Sequence, residues 1–153
     1  MLGHQWQIWI DTGGTFTDCL AISPDKDHRT VKVLSNSNLR GTFLHKLNDR
    51  TFAFSANWPS VEGLFDGYSL YFLNRKGFSF LITEADVNHG YITVSEDIGP
   101  CEGEFAITAH EEAPVLAARL ATHTPLRYPL PPMQMRLGST LGTNALLERK
   151  GAD

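Results

Sequence analysis

The run Asp11-Thr12-Gly13-Gly14-Thr15-Phe16-Thr17-Asp18 constrains this chain more than any other. Two adjacent glycines interrupt any regular element, and short apolar runs flank them. Gln5 to Ile10, rich in Trp and Ile, reads as a buried strand. Cys19 to Ile22 is apolar again, Ser23-Pro24-Asp25-Lys26-Asp27 is a polar turn, and Thr30 to Leu34 alternates around Lys32. Strand, glycine turn, strand, polar turn, strand predicts an antiparallel meander at the start of the chain.

From about Gly41 to His110 β-formers dominate and no helical stripe occurs. Phe43, Leu44 and Leu47 before Asn48-Asp49, with Thr51, Phe52 and Phe54 after it, predict a hairpin. Tyr68 to Leu73 and Phe78 to Ile82 flank Asn74-Arg75-Lys76-Gly77, a second hairpin in which Gly77 supplies a positive φ. Tyr91 to Val94 and Glu104 to Ala109 add two strands. Glu111-Glu112-Ala113-Pro114 then opens a helix with Val115, Leu116, Ala118 and Leu120 on its inner side. Gln134 to Leu137 is a short strand, and after Gly138-Ser139-Thr140 a last helix runs through Ala145, Leu146, Leu147 and Glu148, with Gly151 as its C′ residue. Three parts follow: 1–40, a β-rich 41–110, and 111–153.

With 153 residues, 42% of them hydrophobic and 20% charged, the chain fits one folded domain or one lobe of a larger protein. A net charge of −4 argues against non-specific nucleic-acid binding, since no basic surplus is available to displace counterions. No apolar run approaches the roughly 20 residues of a membrane helix. Met1 to Gln5 has no secretory-signal character. Cys19 and Cys101 are too few for a disulfide framework and fit a reducing cytoplasm.

Chemistry concentrates at the two ends. A strand delivers Asp11 to the glycine turn, whose consecutive N–H groups can form an anion nest ringed by the hydroxyls of Thr12, Thr15 and Thr17. A carboxylate alongside, Asp11 or Asp18, can hold Mg²⁺ through water. An ordinary hairpin turn would use the same residues, glycine for its backbone freedom and threonine for strand stability. Gly138-Ser139-Thr140-Leu141-Gly142-Thr143-Asn144 places small hydroxyl residues at a helix entrance, where free N–H groups favour an anion. Simple capping by Ser139 or Thr140 accounts for the same composition. The six histidines show no metal-ligand spacing, and Cys19 reads as a buried small hydrophobe. The aromatics of the middle fit sheet packing better than ligand stacking.

Ile8 to Asp18 resembles the opening of the hydantoinase/5-oxoprolinase family. Thr143-Asn144-Ala145-Leu146-Leu147-Glu148-Arg149-Lys150-Gly151-Ala152 resembles the second motif of its N-terminal region, and Val31 to Ser35 fits the strand after the first. The resemblance implies an α/β ribonuclease-H/actin-like half-lobe with an antiparallel opening meander, here carrying a β-rich insertion. It implies ATP and Mg²⁺, with Asp11 as the catalytic, metal-organising residue and Asp18 as a second metal ligand. Thr12, Gly13, Gly14, Thr15, Thr17, Ser139, Thr140 and Asn144 would meet the nucleotide. It implies ATP-driven opening of a small cyclic amide such as 5-oxoproline. Such an enzyme needs a second lobe, from the same polypeptide or another subunit, so the chain alone is expected to be inactive and to bind nucleotide weakly if at all.

The sequence departs from the family in two places. Leu137-Gly138-Ser139-Thr140 stands where relatives carry a His-Gly-Thr-Thr-like entrance, and the middle is β-rich where they are mainly helical. A sugar- or acyl-kinase-like ATPase lobe and a non-catalytic subunit-docking module are the alternative readings.

Overall fold

The computed structural model describes residues 5–139. Gly138 and Ser139, expected at the entrance of the last helix, lie instead in a strand that pairs with the first, and the predicted helix itself falls outside the described residues. The chain divides into two compact units. Within the described residues, one comprises 5–37, 111–122 and 130–139, the other 38–110 and 123–129.

The first unit is a four-stranded sheet with one helix. Strands β1 (Trp6–Thr12), β2 (Phe16–Ile22) and β3 (His28–Leu34) form the predicted antiparallel meander. After the excursion into the other unit, α1 (Ala113–Thr122) packs against these three strands. Strand β10 (Met133–Ser139) then lies parallel to β1, giving the order β10-β1-β2-β3. Alternation decides the faces. Ile8, Ile10, Thr17, Cys19, Ala21 and Val33 are buried under the helix side, while Asp11, Asp18 and Lys32 lie exposed on the opposite side. The helix begins where the acidic pair was read as a start: the Leu116 N–H donates to the Glu112 carbonyl at 3.0 Å. Glu111 receives Arg119 in a two-pronged pair, from Nε at 2.6 Å and from a terminal nitrogen at 3.0 Å.

The second unit is a closed six-stranded barrel built from β4 (Asn38–Lys46), β5 (Thr51–Ser55), β6 (Ser69–Phe72), β7 (Phe80–Asp86), β8 (Tyr91–Val94) and β9 (Glu104–Thr108). Its order is β4-β5-β8-β7-β6-β9, every neighbour is antiparallel, and β9 returns to β4. Both predicted hairpins are present, and Gly77 has φ 86° in the second. Bulges at Phe43/His45 in β4 and at Ile82/Glu84 in β7 supply the bending that closure needs. The interior is aromatic and filled. Phe52, Phe72 and Phe105 meet with ring centroids 5.3 to 5.9 Å apart.

The expected α/β actin-like half-lobe is therefore corrected. Among the described residues the chain is mostly β, with ten strands in two sheets and a single helix. The reason lies in the pattern of the middle: period-two alternation broken by Asn and Gly turns has nowhere to bury its apolar face except in a sheet closed on itself. Among the described residues only 113–122 form a helix. No described helix is long and apolar enough to cross a membrane.

Candidate functional site

The β1–β2 hairpin turns tightly. The Gly13 N–H donates to the Phe16 carbonyl at 2.9 Å, leaving Gly14 and Thr15 as the exposed two-residue tip. Neither Gly13 nor Gly14 adopts a left-handed φ, so the glycines are not required by backbone handedness. What they leave is a tip without bulk. Among the described residues, no backbone acceptor takes the N–H groups of Gly14 and Thr15.

Ser35, just past β3, clamps this turn. Its N–H donates to the Thr15 carbonyl at 2.8 Å, and its hydroxyl donates to the Gly13 carbonyl at 2.8 Å. The Thr17 hydroxyl lies 3.0 Å from the same Ser35 oxygen. Thr17 is completely buried, so its hydroxyl supports the turn from beneath rather than lining an open surface. Thr15 and Gly14 are exposed, Thr12 and Gly13 half-buried. Residue patterns gave no role to Ser35, because its partners lie 18 to 22 positions away.

The two ends of the sequence meet here. In the parallel β1–β10 register Asp11 is level with Gly138, and Thr12 is level with Ser139. A Cβ added at Gly138 would stand 4.0 Å from Asp11 Oδ1, so the glycine leaves that flank of the carboxylate open. Across the hairpin, Asp11 is level with Asp18, and Asp18 is level with Lys32. One row across four strands thus reads Gly138, Asp11, Asp18, Lys32. Like charges directly opposite in a sheet destabilise it, by roughly 0.2–1 kcal/mol for such a pair. A divalent cation at the two acids would relieve that repulsion. Among the described residues no group of three or more His, Cys, Asp or Glu side chains could hold a metal. Two carboxylates completed by water and phosphate oxygens is nonetheless a usual Mg²⁺ environment, so the residues present fit that ion. Thr140 and Asn144 lie outside the described residues.

Other candidates are not drawn to this end of the sheet. Cys19 is buried, which pushes its thiol up to about 11 and leaves it inert at neutral pH. Burial also raises the Cys101 thiol. His89 pairs with Asp86 at 2.8 Å and His110 with Ser69 at 3.0 Å, both in the barrel unit.

This end of the sheet thus presents two acids, a small-residue turn and the Gly138–Ser139 end of β10. Residues 7–56, about a third of the chain, match the model of the hydantoinase/oxoprolinase N-terminal region, a region of a family of enzymes to which this segment is similar. The matched span runs from β1 through β5. The motif at 138–152 lies beyond it. No curated protein and no solved structure matches the chain.

Proposed function

We propose that this chain supplies the phosphate- and magnesium-facing hairpin of an ATP-dependent cyclic-amide hydrolase. The observation that carries the reading is the parallel register that sets Asp11 and Thr12 beside Gly138 and Ser139. Two stretches each compatible with an anion, more than 120 residues apart in sequence, sit on adjacent strands at the same end of one sheet. Asp11, with Asp18 level with it across the hairpin, would hold Mg²⁺ largely through water. The N–H groups of Gly14 and Thr15 and the Thr15 hydroxyl would receive phosphate oxygens. When bound, ATP supplies the phosphoryl group that makes an amide carbon a better electrophile and drives ring opening by water. The chain's own part is to orient and neutralise charge. The remaining walls of the site come from further polypeptide or a second subunit, in the cytoplasm.

Asp11→Asn in the complete enzyme carrying this segment tests the reading. Losing the metal-holding charge should lower ATP-dependent 5-oxoproline opening by about a hundredfold. The isosteric change should leave the melting temperature unchanged or raised by up to about 4 °C, since it relieves the repulsion between Asp11 and Asp18. Wild-type turnover in the variant would overturn the assignment.

A further inference from the structure

Lys32 completes the charged row, and its position carries an inference that rests on the proposed site. It is exposed on β3, level with Asp18, on the face that carries both acids. Its ammonium does not stay level. It lies 4.7 Å from the ring centroid of Phe16, a residue two positions nearer the turn than Asp18 and on the same face. The contact runs diagonally across the two strands, to the residue that directly follows the Gly14–Thr15 tip. The described ion pairs do not include it. Phe16, still 44% exposed, serves as a platform that holds the cation at the edge of the turn.

An ammonium seated on the ring of the residue next to a tip whose N–H groups have no backbone acceptor favours an anion, and the neighbouring pair of acids favours a metal. The ligand that satisfies both is a metal-bound chain of phosphates, in which each oxygen bears partial negative charge. We infer that Lys32 is a binding residue for the phosphates at the hairpin tip, receiving an outer phosphate while Asp11 holds the cation. The ligand's shared chemistry is a magnesium-bound polyphosphate, whether free or attached to a nucleoside.

The complete protein that carries this segment is titrated with magnesium tripolyphosphate and, separately, with MgATP, into the millimolar range. Amide shifts of Gly13, Gly14 and Thr15 report binding, and melting temperature reports folding. With Lys32→Gln, removal of one charge-assisted contact at an exposed site should weaken both ligands by about fivefold at unchanged melting temperature. Lys32→Arg should restore most of the affinity. If Lys32→Gln binds as wild type does while Asp11→Asn abolishes binding, the hairpin site stands and Lys32 has no part in it. Dependence on Lys32 for MgATP alone would assign it to the nucleoside and overturn the inference. So would equal losses in the Gln and Arg variants accompanied by lower melting temperatures. If the three amides respond to neither ligand in any form of the chain, the site itself falls, and the inference with it.

Discussion

At the scale of single residues, the hairpin tip depends on a serine that touches no ligand. Ser35 bonds to Thr15, Gly13 and Thr17 at once, and Thr17 has no access to water with which to replace a lost partner. Ser35→Ala should therefore destabilise the fold by about 1–3 kcal/mol, the range for a buried hydroxyl left unsatisfied. Urea unfolding checks the magnitude. Broadened amide signals for Gly13 to Thr15 in the same variant would trace the effect to the tip. Thr17 shows how a motif can mislead when read letter by letter. Three threonines within six residues look equivalent in sequence, yet strand alternation turns Thr17 to the buried side, while Thr15 stays exposed on the turn. Exposure, more than residue type, separates a group that can meet a ligand from one that supports the turn.

At the scale of elements, α1 illustrates a helix whose placement depends on one charged pair. Arg119 sits in its last turn with 9% of its side chain exposed, and its fork receives Glu111 from just before the helix start. Glu111→Gln keeps the shape but leaves a nearly buried guanidinium facing a neutral amide. The expected cost is about 2–3 kcal/mol, somewhat below the range for fully buried pairs because Glu111 is partly exposed. Thermal melts of Glu111→Gln and of Glu111→Gln/Arg119→Met distinguish the cases: the double variant should recover part of the loss, since the guanidinium that the carboxylate served is then gone. The predicted element positions were mostly legible because each depends on local pattern. Tyr91–Val94 is a strand as predicted, and the helix begins at the Glu112 carbonyl. Strand β10 extends from 133 to 139, past both ends of the predicted 134–137, because pairing with β1 extends it and sequence pattern cannot register a partner.

At the scale of the whole molecule, the barrel rests on close approach. Gly41 on β4 is level with Phe105 on β9, and a Cβ at Gly41 would stand 2.5 Å from the tip of that ring. The ring cannot yield readily, since Phe52, Phe54, Trp58 and Phe72 surround it. Gly41→Ala should cost about 2–3 kcal/mol through overpacking, read as a lower midpoint in urea. A melting temperature equal to wild type would mean that the barrel can widen there. Closure also leaves the six barrel strands without a free edge, which removes the edge-pairing route by which a β-rich module would dock. The sequence by itself determined the meander, the hairpins, the helix and the family resemblance of the opening segment, because each is written in short-range spacing and turn chemistry. Tertiary structure alone decided that the β-rich middle closes into a barrel, that Ser35 secures the turn, and that Gly138 comes to lie beside Asp11. Those outcomes depend on which distant strands pair and in what register, and register is set by the fit of whole faces against one another rather than by any local run of residues.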